Sequence, residues 1–206
     1  MPRAGLTRDR VIEHAAAVAD EVGVDNLTLA AVAQRCGVSL PGLYKHIEGL
    51  DAVKRAIALI AVRELTATLA AATVGVAGRD ALRELATAYR SYARSHPGHY
   101  SAILHAPPAG DSEYADAAAA AVSVIASALK GYQLEGSELI HAVRMLRAAF
   151  HGMVSLEEAG GFGLPESVDE TYAHLTDALD SAFHALAGHY ALREPRAWPT
   201  SRDSET

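Results

Sequence analysis

The sequence predicts an all-α protein. Three observations point there. Apolar residues recur at helical period along almost the whole 206-residue chain, no stretch alternates apolar and polar as a half-buried strand does, and Ala and Leu dominate while Phe and Trp are scarce. Half of the residues are hydrophobic and 21% are charged, which suits a globular chain with room for one or two cores and argues against disorder.

Caps and stops set the elements in order. Thr7 caps a first helix whose buried face is Val11, Ile12, Ala15, Val18, Ala19 and Val22, ending at Gly23. Thr28 caps a short second helix through Cys36, which Gly37 ends because the left-handed C-cap position favours glycine. Ser39 caps a third, with Pro41 still inside its first turn, that closes near Ile47. Long helices are expected at about Leu50 to Ala72, Arg79 to His96, Ser112 to Tyr132 and Gly136 to Ala159. Pro97-Gly98 stops the second of these and Gly160-Gly161 the fourth. In "SVDE", Ser167 and Glu170 stand at capping-box spacing and open a last helix to about Tyr190. The tail "REPRAWPTSRDSET" has two prolines, many polar residues and no period, and is expected to be disordered. The expected division is a three-helix unit over 1–53, a larger helical unit over 54–190 and a tail over 191–206.

The apolar stretches "AIALIAV" and "AAAAAVSVIASAL" fall short of the roughly 18 to 20 residues that span a bilayer, so no membrane partner is expected. The N-terminus lacks the apolar run of a signal peptide, and the single cysteine, Cys36, has no partner for an intramolecular disulfide. Both suit a reducing cytoplasm, with Cys36 as a small buried filler. A net charge of -7 argues at first against a nucleic-acid partner. The charge is unevenly spread, however. Residues 1–55 hold seven basic and seven acidic side chains, whereas residues 56–206 hold eleven basic and eighteen acidic ones.

Two short helices joined by "CGVS" form a helix-turn-helix. Leu29, Val32, Ala33 and Val38 face the core, and the second helix is free to enter a major groove. Its exposed face carries Leu40, Gly42, Lys45 and His46, and the helix starts at Ser39 and Thr28 offer free N–H groups to phosphate. Gly23, Thr28, Val32-Ala33, Gly37-Val38-Ser39, Leu43-Tyr44 and His46-Ile47, in register and without gaps, resemble the DNA-binding domain of the tetracycline-repressor (TetR) family. By that resemblance Thr28, Ser39, Tyr44 and His46 sit at backbone-contacting positions, and Leu40, Pro41, Gly42 and Lys45 where the family reads or approaches base edges. The sequence departs from the family at Ile47, where Phe is usual, and at Leu50, where a phosphate-contacting Lys is usual. The second change predicts weaker or less salt-dependent binding.

The larger part resembles the helical C-terminal domain of the same family, and "RAAFHGMVSLEEAGGFG" from Arg147 is similar to the His-Gly and Leu-Glu-Gly pattern of one subgroup. The resemblance implies a homodimer through the helices at about 136–159 and 167–190, a palindromic double-stranded DNA operator and a small-molecule effector of unknown identity. The apolar stripes of those helices, Leu139, Val143, Leu146 and Phe150 with Leu175, Leu179, Phe183 and Leu186, are also what a plain core would show. Tyr89, Tyr92, His96, Tyr100, His105, Met145, His151 and Phe162 are candidates to line a ligand cavity, since such pockets mix apolar walls with a few polar handles. No metal or cofactor is expected, because the ten histidines show no H-x-x-x-H or H-E-x-x-H spacing. No catalytic constellation stands out. The function expected is a ligand-responsive repressor. The alternative is a helical-bundle enzyme or binding module that uses its histidines on a small molecule.

Overall fold

A computed structural model describes residues 5–104 and 110–191, with side chains to residue 187. The expected disorder of the tail beyond residue 191, and the ligand role of His105, lie outside the described residues. Every regular element among the described residues is helical: α1 (Arg8–Val22), α2 (Leu29–Cys36), α3 (Leu40–Leu43), α4 (Leu50–Ala72), α5 (Gly78–Ser95), α6 (Pro97–Ala102), α7 (Ser112–Ala128), a 3-10 turn at Leu129–Tyr132, α8 (Gly136–Glu158) and α9 (Val168–Ala191).

The caps form as their residue types dictate. Thr7 Oγ1 accepts from the Arg10 N–H at 3.3 Å, Thr28 Oγ1 from Ala31 at 3.2 Å and Ser39 Oγ from Gly42 at 3.3 Å. Gly37 closes α2 at φ 68°, where an L side chain would be strained. At α9, Ser167 Oγ accepts from the Glu170 N–H at 3.4 Å, half of the expected capping box.

The structure differs from the sequence reading in several places. Pro97-Gly98 not only ends α5 but also starts α6, since proline suits the first turn of a helix. The helix from Ser112 tightens into a 3-10 turn at Leu129, and Gln133 then takes a left-handed conformation at φ 56°. Val22, expected on the buried face of α1, is 44% exposed.

Two apolar cores organise the chain. One gathers α1, α2 and α3 around Val11, Ile12, Leu27, Val32, Leu43 and the first half of α4, with Ala102, Tyr114 and Ala117 added from α6 and α7. The other gathers the end of α4, α5, α8 and α9 around Leu69, Leu82, Leu85, Leu146, Phe150 and Phe183. Leu146, Phe150 and Phe183 are wholly buried and Leu179 nearly so, within one copy of the chain. Polar ties fix the second core. Tyr132 donates to the buried Asp180 at 2.6 Å, Arg79 meets the same carboxylate at 3.1 Å, and Tyr172 donates to the Ala86 carbonyl at 3.0 Å. Arg90 binds Glu157 through two nitrogens at 2.8 and 2.7 Å and lies 5.0 Å from the centre of the Tyr172 ring.

The two cores meet at α6, which crosses α1. A side chain at Gly98 would overlap the backbone of Ala19 and Asp20, so glycine is required there by close approach. Asp20 Oδ1 accepts from the Gly98 N–H at 2.8 Å and the His99 N–H at 3.0 Å, which satisfies two orphan donors at the start of α6. Gly98→Ala is therefore expected to cost about 3 kcal/mol, at the upper end of what overpacking costs, read as a lower urea midpoint with an unchanged m-value. A midpoint equal to that of the wild type would overturn the close approach.

Candidate nucleic-acid interface

The segment from Thr28 to His46 projects its polar residues because its apolar ones are spent inward. Val32, Ala33, Leu43 and Ile47 are buried, and Leu29, Val38 and Leu50 pack against them. Ile47 thus fills the apolar position that Phe holds in the family pattern. α3 is only one regular turn long, and Gly42 within it is a weak helix former. The backbone continues in tightened turns, His46 N–H donating to the Leu43 carbonyl at 2.9 Å. The third helix therefore reaches His46 in trajectory but not as an α-helix, short of the expected end near Ile47.

Thr28, Ser39, Leu40, Pro41, Tyr44 and Lys45 are all exposed, and Gly42 and His46 are half-buried. Tyr44 is 54% and Leu40 40% exposed, a position without intramolecular reason for two large apolar side chains at the end of a helix-turn-helix. Tyr44, Lys45 and His46 share one recess with Arg8 from the start of α1 and Arg55 from α4. Glu48 is the acidic member of that recess. Arg55 is committed elsewhere as well: its Nη2 donates to Asp111 at 2.7 Å and to Glu113 at 3.1 Å. The Arg55 guanidinium, helped by the Tyr114 N–H, holds the Asp111 carboxyl below its ordinary value. Ser39 and Thr28 spend a lone pair on their caps, and each keeps its hydroxyl proton for an outside acceptor.

The candidate ligand residues do not form one group. Tyr89, Tyr100 and His151 do: the two hydroxyls lie 2.9 Å apart, and Tyr100 meets His151 Nδ1 at 2.8 Å. Ser155, which the sequence reading missed, reaches the same nitrogen at 3.1 Å, and Phe150 and Tyr172 pack beside the row. Burial pushes both the Tyr89 and Tyr100 hydroxyls above their ordinary values, so they stay protonated. Tyr92 and His96 turn the other way. The Tyr92 hydroxyl donates to the Ala61 carbonyl and to Glu64, each at 3.2 Å, and its ring stands 5.2 Å from that of His96. Met145 is 39% exposed on the outer face of α8, and Phe162 is half-buried in the α8–α9 connection. Ser155 stands at i+4 from His151, a spacing that helical period could have shown.

Residues 11–47 match the family described as bacterial regulatory proteins, tetR family, and residues 82–179 match the tetracyclin repressor-like C-terminal domain. An uncharacterized HTH-type transcriptional regulator of Mycobacterium tuberculosis is 36% identical over 158 residues, spanning 76% of this chain and 72% of that protein. A second such regulator, from Bacillus subtilis, is 33% identical over 172 residues, or 82% of this chain and 88% of that one. A solved protein of unknown function from Rhodococcus superposes with a TM-score of 0.72 at 26% identity, over 88% of this chain and 97% of its own. The fold is also that of a TetR from Acinetobacter baumannii solved with minocycline, with a TM-score of 0.60 at 22% identity, over 92% and 99% of the two chains.

Proposed function

The chain belongs to the TetR family of transcriptional regulators, and from that premise we propose a repressor that binds a palindromic operator as a homodimer and is released by a small, mostly apolar effector. The matched families and relatives are regulators and not enzymes, so the histidine-based enzyme alternative falls. In this reading residues 1–53 are the DNA-binding unit and 54–190 the ligand-binding and dimerisation unit, and the protein acts in the cytoplasm. No single helix among the described residues is long and apolar enough to cross a membrane.

One observation carries the DNA reading: Tyr44, Lys45 and His46 stand together at an open recess bordered by Arg8. Thr28, Ser39, Tyr44 and His46 serve the phosphate backbone, and Leu40, Pro41, Gly42 and Lys45 approach base edges. Two-fold symmetry sets the recognition helices about 34 to 36 Å apart, one turn of DNA. With an operator selected from random DNA, Lys45→Ala and Tyr44→Ala are expected to weaken binding in a folded protein. A phosphate role for Lys45 gives a uniform loss and a log-salt slope smaller by about one, whereas base reading gives about 1 to 3 kcal/mol at one base position. Operator affinity unchanged in both variants would overturn the assigned surface.

The dimer is assigned to the faces of α8 and α9 that the chain leaves open. Leu146, Phe150, Leu179 and Phe183 serve the chain's own core, so they are poor probes of an interface. On α8, Met145, Ala148, Gly152 and Leu156 form an outward stripe at helical spacing, with Met145 39% and Leu156 51% exposed. Nothing lies within 4 Å of where a Gly152 side chain would start. Met145→Glu with Leu156→Glu is expected to leave the helical signal intact and yield a monomer by light scattering, since a charge buried unpaired costs about 3 to 5 kcal/mol. Wild type that is monomeric at micromolar concentration, or a double variant that still dimerises, counts against this face.

The effector is assigned to the row Tyr89–Tyr100–His151, with the neutral hydroxyls and one imidazole as its polar handles. Negative charge predominates in residues 56–206 and Arg90 is matched by Glu157, which favours a neutral or cationic ligand over an anion, with the Arg147 charge acting on Tyr89 as the one feature that runs the other way. The ligand acts by shifting α4, which both cores share, and thus the spacing of the reading heads. In a thermal-shift screen of hydrophobic compounds, a hit at 100 times its dissociation constant should add about 2.7 kcal/mol to the wild type. The same hit should add less to Tyr100→Phe and should loosen operator DNA. A screen in which no stabilising compound releases DNA would leave a regulator controlled by its own abundance.

A further inference from the structure

The seam between α1 and α6 gathers side chains that neither the DNA surface nor the effector row uses. Asp20 stands near the end of α1, and His96 and His99 flank the start of α6. One carboxylate oxygen of Asp20 is fixed by the backbone N–H groups of Gly98 and His99, at 2.8 and 3.0 Å. The other, Oδ2, is thereby aimed between two imidazoles, 2.9 Å from His99 Nδ1 and 3.6 Å from His96 Nδ1. One ligand atom from each residue falls within 4.8 Å of the other two.

We propose that Asp20, His96 and His99 form a site for a divalent transition-metal ion of the zinc class, bridging the DNA-binding unit to the larger unit. Two imidazoles and one carboxylate are a donor set that zinc takes, whereas calcium and magnesium prefer oxygen throughout. An outer-shell partner stands near, although not yet at hydrogen-bond distance. The far nitrogen of His99, Nε2, lies 3.8 Å from Glu64 Oε2, and Glu64 in turn accepts from the Tyr92 hydroxyl at 3.2 Å. When a metal occupies Nδ1, the single proton of the neutral His99 ring sits on Nε2 and faces that carboxylate, the arrangement that fixes ring orientation around bound metals. Entry is available, since the His99 side chain is only 11% exposed but that of His96 is 45% exposed. Solvent can thus fill the fourth position. The Tyr92 ring beside His96 limits how far the exposed imidazole can swing away.

The three-residue spacing of His96 and His99 supplies only two donors, and it is neither H-x-x-x-H nor H-E-x-x-H, which is why the histidine pattern predicts no metal. Its donors come from helices far apart in sequence and meet only because Gly98 lets the two backbones touch. A bound ion would replace the direct Asp20–His99 hydrogen bond with coordinate bonds to both sides of the seam, and so clamp α1 to α6. The proposal does not depend on the DNA reading, because it is tested by cation binding alone.

Tag-free full-length protein stripped with chelator is titrated with Zn2+ by calorimetry and with Co2+ by visible absorption. Wild type is expected to take one ion per chain with a dissociation constant in the micromolar range or below, and to give the intense bands of four-coordinate cobalt. His96→Ala removes an exposed ligand, so the apo protein should keep its melting temperature while affinity falls at least about 10-fold. Asp20→Asn should lose the site, and Glu64→Gln, outside the coordination sphere, should weaken it about 10-fold. Wild-type zinc binding weaker than about 0.1 mM would overturn the proposal. So would His96→Ala protein that binds zinc with wild-type stoichiometry and affinity, since the ion would then sit on other histidines.

Discussion

The backbone of α6 rests on the backbone of α1 at Gly98, and much of the molecule is arranged around that contact. A helix of six residues is too short to hold itself, because nucleation costs more than so few hydrogen bonds return. α6 exists because Asp20 satisfies its first free N–H groups and because Tyr100 and Ala102 are buried. These two side chains enter different cores. Tyr100 belongs to the core of α5, α8 and α9, and Ala102, two residues on, to the core of α1, α2 and α4. A segment fixed at three points in six residues has little freedom to move without carrying its neighbours.

Charge is distributed to the same end. The larger unit is acidic, yet its arginines are largely turned toward partners on other helices: Arg79 to Asp180, Arg83 to Asp177 and Arg90 to Glu157. Exposed pairs of this kind contribute little each. The exceptions are those that are part-buried, where breaking one partner leaves a costly charge behind. Asp180 is 7% exposed and holds both Tyr132 and Arg79, so α9 is located by a hydrogen-bonded carboxylate as much as by Phe183. Between α4 and α7, Arg55 and Arg63 of α4 share Glu113, and Arg55 also holds Asp111, the cap of α7. Arg55 borders the Tyr44 recess but serves α7, so Arg8 and Lys45 are the cations there without such a tie to α7.

How much of this was legible in the sequence follows the range of the interactions. Local chemistry was legible: Thr7, Thr28, Ser39 and Ser167 cap as their spacing predicts, Gly37 takes its positive φ, and the apolar period places Val32, Ala33, Leu146 and Phe150 inside. The helix-turn-helix was readable because all its determinants lie within some forty residues. Long-range geometry was not. Periodicity marks a buried stripe on α9 but not whether it faces this chain or a second copy, and the structure gives Leu179 and Phe183 to the chain's own core. The candidate ligand residues split into two groups because Tyr89 and Tyr92, three apart on α5, point to different neighbours, His151 by way of Tyr100 and Glu64 directly. Asp20 carried no signal at all, since its role depends on a helix that begins 77 positions later at Pro97.

The two-core arrangement also bounds how an effector could act in the proposed regulator. Tyr100 is the middle member of the effector row, and the same short helix carries Gly98 and His99, which Asp20 holds. A ligand that displaces the Tyr100 hydroxyl must therefore either break the Asp20 bonds or move α1 with α6. The first costs about 1 to 3 kcal/mol for each buried polar group left without a partner. The second costs less locally, because α1 carried with α6 keeps the Asp20 bonds and its place in its own core. Allosteric coupling is commonly about 1 to 3 kcal/mol, no larger than the cost of breaking one such bond. A ligand of ordinary coupling strength is thus better matched to carrying α1 intact than to prying it loose, and the reading surface would shift as a rigid body from the seam.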